Sequence, residues 1–242
     1  MAPEGKTAGG KPGAGPGVGL AGWIEPAADP TDFVRRNTAI GRPPLVPEIA
    51  LHLATEVTPI WQATEDRLSR GAVPPPFWAF AWAGGQALAR YVLDNPEVVR
   101  GREVLDIGSG SGIVAIAASL AGAKRVVAAE IDPFAAAAIA LNTALNGVAI
   151  AVETRDLLDR AAAGWGVALA GDVCYEEPMS RRIIGLLRRI AGRGRTALLG
   201  DPGRAYLPRS GLEELARYEV PTSRELEDRE AREGVVWRVL PE

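Results

Sequence analysis

The chain has 242 residues, 47% of them hydrophobic, with 30 acids against 27 lysines and arginines and a formal net charge of -3. That is enough apolar material for one decorated domain with a sizeable core, and the mixed charge carries no polyanion-binding signal. A single cysteine, Cys174, excludes an internal disulfide framework and suits a reducing compartment such as the cytoplasm; no run of about 18 apolar residues exists to span a membrane.

Residues 1–28 are rich in Gly, Pro and Ala and lack the compact apolar stretch of a secretory signal. They read as a disordered leader. Residues 29–98 read as an N-terminal helical extension and a cofactor-side segment, and 99–242 as a Rossmann-like domain. Thr31 or Asp32 can cap a first helix running through Arg36. "RPPLVPEIALHLA" reads as a turn followed by a helix from Pro47, and "TPIWQATEDRLSR" as a helix capped by Thr58 with Pro59 at its first position. "GAVPPPFWAFAWAGGQALARYVLDNP" opens as a proline-stiffened extended segment, turns helical after Gly84, and stops at Asn95-Pro96.

From residue 101 the pattern changes. Strand-length apolar runs at 103–107, 125–131, 148–153, 167–173, 196–200, 217–220 and 234–240 alternate with helical segments at 111–121, 133–146, 177–191 and 209–216. That alternation predicts an α/β fold, a doubly wound, mainly parallel seven-stranded sheet. Asp132 and Pro133 supply a cap and first residue for the helix at 133–146. The helix at 177–191 puts Ile183, Ile184, Leu186, Leu187 and Ile190 on one face and Arg181, Arg182, Arg188 and Arg189 largely on the other. The segment "PTSRELEDREAREG" can be a hairpin connection, which would make the last strand antiparallel.

The turn Gly108-Ser109-Gly110-Ser111-Gly112 follows the first of these strands. In open parallel sheets, ligands sit at such crevices beyond the carboxyl ends of the strands. A nucleoside triphosphate would call for a lysine after the turn, and there is none. A dinucleotide would call for a third glycine where Ile113 stands, and Asp106 beside the turn does not suit a pyrophosphate. S-adenosylmethionine, with a sulfonium and an ammonium but no phosphate, fits better. The backbone at Gly108 and Gly110 can approach its amino-acid portion, and Asp106 can fix the loop or reach the ammonium. Glu130, at the end of the second strand, can accept hydrogen bonds from both ribose hydroxyls. Asp156 and Leu157, after the third strand, can meet the exocyclic amine and one face of adenine. His52 is the only histidine, so no metal site can be built around it.

The segments "VLDIGSGSGIVAIAA", "AAEIDPFAAAAIALNTALNG" and "GDVCYEEP" resemble the seven-strand class of S-adenosylmethionine-dependent methyltransferases, over about residues 75–240. Within that class, "PPFWAFAWAGGQALARYVLDNP", the Asp-x-x-Tyr of "DVCY", "GDPGRAYLP" and "VWRV" resemble the electron-transfer flavoprotein β-subunit lysine methyltransferase family. The resemblance implies strand order 3-2-1-4-5-7-6 with strand seven antiparallel, and it implies that Trp82 and Gly84 lie beside the cofactor. It also implies a protein substrate, the flavoprotein β subunit; the charge balance disfavours a nucleic-acid partner, and no segment is apolar enough to call for a membrane.

A lysine acceptor must lose a proton before it attacks, since its reference pKa is about 10.4. Asp172, at the end of the fourth strand, can orient the amine and stabilise the charge that grows on nitrogen, but it would also hold the proton on a resting ammonium. Tyr175 can give a ring wall and a hydroxyl acceptor. Trp78, Phe80 and Trp82 can flank the lysine stem or the cofactor; their alternation equally suits an extended segment packed on the sheet. Asp201 and Arg204, after the fifth strand, form either a tight turn or a substrate-side loop in which Arg204 meets an acid of the protein target. Two alternatives remain open at this level: a methyltransferase acting on a ribosomal protein or RNA, and a non-catalytic cofactor-binding module.

Overall fold

The computed structural model describes residues 29–54, 60, 75–159, 164–222, 227 and 229–241. The leader 1–28 and all but Ile60 of the helix expected from Thr58 lie outside the described residues. The strand-length runs pair into one sheet of seven strands: β3 (Glu103–Ile107), β4 (Arg125–Ala129), β5 (Ala151–Glu153), β6 (Val167–Gly171), β7 (Thr196–Asp201), β8 (Leu212–Pro221) and β9 (Ala231–Val239). Their spatial order is β5-β4-β3-β6-β7-β9-β8. Numbered within the sheet, that is the expected 3-2-1-4-5-7-6. β9 runs antiparallel to both β7 and β8, and the other pairs are parallel. Central strands β3, β4, β6 and β7 are apolar on both faces because helices cover both.

One face carries α2 (Ala83–Asp94) and α3 (Ile113–Leu120), and their apolar residues form a core with Val104, Val126, Leu169, Leu198 and Val236. The other carries α5 (Glu177–Ala191), whose Ile183, Ile184, Leu186, Leu187 and Ile190 are all buried, as their spacing predicts, against Leu105, Val127 and Leu199. α4 (Pro133–Leu145) starts as expected, with the Asp132 carboxylate accepting from Phe134 N–H at 2.8 Å and Pro133 at the first position.

The N-terminal region departs from the sequence reading. α1 spans Pro30–Asn37 and is capped by Asp29, ahead of both Thr31 and Asp32, through Thr31 N–H. No helix begins at Pro47. Turns there lead instead into β2 (Leu51–Leu53), paired antiparallel with β1 (Ala39–Gly41). This hairpin is tied down by α4: Asn142 accepts from His52 N–H at 2.7 Å, and Asn146 accepts from Ala50 N–H and donates to its carbonyl. Such long-range pairing outweighs local helix preference. The same applies at 209–216, where β8 replaces the expected helix and pairs with β9 along its length. The segment expected to be extended contains a 3₁₀ turn at Phe77–Ala79, which breaks the alternation of Trp78, Phe80 and Trp82.

α2 lies unusually close to the sheet because glycines face glycines. A Cβ on Gly84 would meet the Gly200 carbonyl at 2.5 Å, and one on Gly171 would meet Gly85 Cα at 2.9 Å. This approach brings the first turn of α2 down onto the carboxyl ends of β6 and β7. Gly200→Ala, which would drive a methyl into the α2 backbone and Leu88, is expected to destabilise by about 1–3 kcal/mol and lower Tm by roughly 3–10 °C. Gly185→Ala should do the reverse. Only the mobile end of Arg189 stands within 4 Å of that added methyl, and a mid-helix glycine costs about 0.5–1 kcal/mol relative to alanine. Thermal melts of the two variants check both signs; an unchanged Tm for Gly200→Ala would contradict the packing described.

Candidate active site

The glycine turn after β3 needs left-handed backbone at three places: Gly108, Gly110 and Gly112 have φ of 63°, 54° and 83°. Asp106 holds the turn from inside. Its Oδ2 accepts from Ser109 Oγ at 2.5 Å and from Ala115 N–H at 3.1 Å, so it joins the loop to the first turn of α3. It is 1% exposed, and burial pushes its carboxyl up to about 7 against those two bonds. Of the two roles considered for Asp106, fixing the loop is the one this geometry favours.

Glu130, just past β4, reaches across to the same turn. Its Oε2 accepts from Gly110 N–H at 3.0 Å and its Oε1 from Asp132 N–H at 3.1 Å. Burial raises its carboxyl above the ordinary value, and the two N–H groups oppose that rise. Each oxygen keeps a further lone pair for a hydroxyl. Residues 103–123 contain no Lys or Arg. A cradle of backbone and carboxylates without a cation suits a ligand lacking phosphate, and so fits S-adenosylmethionine. Beyond β5, Asp156 is half-exposed; its oxygens accept from Leu158 N–H and from Arg182, both at 2.9 Å. Leu157 packs against the core under α5.

Asp172 follows β6 and is the one described non-glycine residue with positive φ, 59°. Asp tolerates that region better than most residues, and strain of this kind gathers at functional sites. The bend turns its carboxylate toward α2, where Oδ2 accepts from Gly84 N–H at 2.8 Å. It thereby caps α2 from a neighbouring strand, at the positive end of the helix dipole. Oδ1 accepts from Arg204 Nε at 2.5 Å. Burial raises the Asp172 carboxyl, while Arg204 and then Gly84 N–H pull it down.

Arg204 does not face outward to an acid on another protein. Its outer nitrogens form a two-pronged pair with Glu227, at 2.8 and 3.1 Å, and its guanidinium lies 5.5 Å from the centre of the Trp82 ring. Burial works against its charge, but Asp172 and Glu227 outweigh that and hold it above its ordinary value. Glu227 also accepts from Arg232 at 2.9 Å. Asp201 is fully buried, and its Oδ1 accepts from Gly203 and Arg204 N–H, both at 2.7 Å. This geometry fits the turn reading of Asp201, which shapes the loop that aims Arg204. Its Oδ2 has no hydrogen-bond partner, and burial lifts its carboxyl to about 6. Cys174 is buried too, its thiol pushed up to about 12, which makes it unreactive.

The aromatic wall differs from the expected one. Trp78 is 3% exposed and sits in a cluster with Val34, Ile60, Ala135 and Ala138, so it is core under the N-terminal extension rather than a free wall. Its neighbour Phe77, which the sequence reading passed over, takes that place. Phe77 stands 4.9 Å from Tyr175 and 6.0 Å from Trp82, ring centre to ring centre, and Phe80 is 5.6 Å from Trp82. Trp82 Nε1 donates to the Phe77 carbonyl at 2.7 Å. Phe77 and Tyr175 are 40% and 38% exposed, so this group opens to solvent beside Asp172. The Tyr175 phenol is pushed up to about 12 by burial and nearby carboxylates. Glu227 and Arg232 were missed as well. They lie in or next to the hairpin connection, which offers no apolar period to mark them.

Among the described residues, no group of three or more His, Cys, Asp or Glu side chains could hold a metal ion, and no helix is long and apolar enough to cross a membrane.

Residues 86–168 match the family model for ribosomal protein L11 methyltransferase (PrmA). A putative RNA methyltransferase from Pyrococcus horikoshii superposes with a TM-score of 0.52 at 16% identity, covering 74% of this chain and 98% of that one, which speaks for the fold alone. The chain is 37% identical to the electron transfer flavoprotein beta subunit lysine methyltransferase of Xenopus laevis, over 89% of each chain. To that of Danio rerio it is 40% identical, over 87% of this chain and 83% of the relative. With that identity over most of its length, the chain belongs to the electron transfer flavoprotein beta subunit lysine methyltransferase family, as an S-adenosylmethionine-dependent protein-lysine N-methyltransferase.

Proposed function

We propose that this enzyme methylates lysine ε-amines of the β subunit of an electron transfer flavoprotein, with the acceptor lysine entering past Phe77 and Tyr175 to Asp172. The observation that carries this is Asp172 itself, held in a left-handed bend by two fixed donors beside an open aromatic group. The relatives named for that substrate share most of their length with this chain.

S-adenosylmethionine supplies a methyl already activated by its sulfonium. The residues that would hold it are Gly108 and Gly110 at its amino-acid portion, Glu130 at the ribose, and Asp156 and Leu157 at adenine, with Trp82 and Gly84 beside the reacting end. Asp106 acts on the cofactor through the loop it braces. The chain's own work at the reacting end is alignment and exclusion of water, bringing amine and methyl to roughly 3–3.5 Å. The Asp172 oxygens keep unused lone pairs that orient the neutral amine and favour the positive charge developing on its nitrogen. Tyr175 and Phe77 flank the lysine stem, and the proton shed by the amine leaves to water before transfer. In the same reading residues 29–98 buttress the cofactor-side wall through Trp78, 99–242 form the catalytic domain, and the setting is cytoplasmic.

A nucleic-acid substrate finds less support. Arg182 pairs with Asp156 and Asp159, Arg181 with Glu177, and Arg189 donates to the Leu158 carbonyl, so the basic face of α5 is largely turned to its own neighbours.

Labelled-methyl transfer to recombinant flavoprotein β subunit, with lysine sites read by mass spectrometry, tests the substrate; label in RNA would overturn it. Asp172→Asn is expected to lose roughly 10²–10³-fold in transfer rate while binding cofactor nearly as well as the parent. Equal loss of both would show that Asp172 serves the cofactor instead. Glu130→Gln should weaken cofactor binding about 10- to 100-fold by calorimetry, as expected when charge-assisted hydrogen bonds to the ribose are lost.

A further inference from the structure

An acid beside a lysine amine poses a difficulty, because a lone carboxylate would hold the substrate as an unreactive ammonium. The structure contains an answer. Asp172 is not a lone carboxylate: Arg204 Nε lies 2.5 Å from its Oδ1, and Arg204 cannot leave easily, since Glu227 grips its other edge at 2.8 and 3.1 Å and Trp82 lies across its face. The Asp172, Glu227 and Arg204 side chains are only 3%, 2% and 16% exposed. Arg232 completes the set at 2.9 Å from Glu227. Two carboxylates therefore face two guanidiniums, and the positive group nearest the reacting end is permanently charged.

We propose that Arg204 is a positioning residue that sets the protonation state of the acceptor lysine, by cancelling the negative charge of Asp172 while leaving its lone pairs in place. The proposal rests on the reading that the acceptor docks at Asp172. Arg204 acts through Asp172 and does not touch the substrate. The amine then meets an oriented acceptor without a net anion, next to a fixed cation that opposes a second positive charge. The other titratable groups around the site are Cys174 and Tyr175 after β6, Asp201 at the end of β7, and Glu130 after β4. The first two keep their protons through the working range. Asp201, lifted to about 6, carries its negative charge over most of that range and favours the ammonium, which makes the Arg204 charge more necessary; burial raises the Glu130 carboxyl.

The sign follows directly. Transfer requires neutral lysine, so the rate rises with pH through the value for the bound amine. A fixed positive charge lowers that value, and removing it raises it. Single-turnover transfer to the flavoprotein β subunit, at saturating cofactor and substrate, would be followed from about pH 6 to about pH 10. Arg204→Gln is expected to move the rising limb up by about one pH unit or more. Its deficit is then about tenfold on the acid side and fades at the alkaline end. Arg204→Lys, which keeps the charge, should leave the midpoint near that of the parent. A deficit of the same factor at every pH, or a shift to lower pH, overturns the proposal while leaving Asp172 its role. Unimpaired transfer by Asp172→Asn overturns the reading of the site beneath it. Because Arg204→Gln strands Glu227 in the interior, the double variant Arg204→Gln/Glu227→Gln serves as a second form. Cofactor binding and Tm verify its fold; because an anion leaves with the cation, its midpoint should move up by less than in the single variant, and no upward shift overturns the proposal.

Discussion

The pin that fixes Asp172 between the Gly84 N–H and Arg204 is the interaction on which the rest of this structure depends. It needs α2 to sit nearly backbone-to-backbone on β6 and β7, which the glycines at 84, 171 and 200 allow. It needs the Asp172 backbone to bend into the left-handed region, which the sheet holds in place through the Asp172 N–H bond to the Gly200 carbonyl at 2.8 Å. The chain leaving that bend brings Tyr175 round to Phe77, whose ring also meets Trp82. Fold, strain and aromatic wall thus have one mechanical origin at the carboxyl ends of two adjacent strands.

The division of labour across the sheet follows from charge. At β3 and β4 the ligand side is lined by Asp106 and Glu130, a turn of bare backbone and no cation, which suits a positively charged donor without phosphate. At β6 and β7 acids and guanidiniums are interleaved and nearly balanced. An ion network with both carboxylates buried is poor evidence of stability, since desolvating the charges offsets most of their attraction. Its retention makes better sense as a device for orienting an amine without trapping its proton.

Much of this was legible in the sequence, and the pattern of what was not is informative. Strands β3, β4, β6 and β7 and helices α4 and α5 carry their own signals: apolar runs of strand length, Asp132-Pro133 at a helix start, and a five-residue apolar stripe on α5. Asp106, Glu130 and Asp172 could be placed because strand ends in such a sheet converge on one edge. β2 and the first half of β8 were misread as helical because their structure comes from partners far along the chain, Asn142 and Asn146 in one case and β9 in the other; the second half of β8 was marked as a strand. Arg204 was recognised as a residue of the site but assigned an acid on another protein. Its true partners are Asp172, 32 positions away, and Glu227, 23 positions away. Phe77 and Trp78 were exchanged because a single 3₁₀ turn rotates one outward and the other in, and that turn has no sequence period.

The central claim is that the cofactor's reacting end lies against Asp172, within the walls formed by Trp82, Phe77 and Tyr175. A crystal structure with S-adenosylhomocysteine bound tests it most directly. The account predicts the ribose hydroxyls on Glu130 and the sulfur directed toward Asp172, with Arg204 still on the Asp172 carboxylate. A sulfur that points away from Asp172, or a ribose that leaves Glu130 untouched, would contradict it.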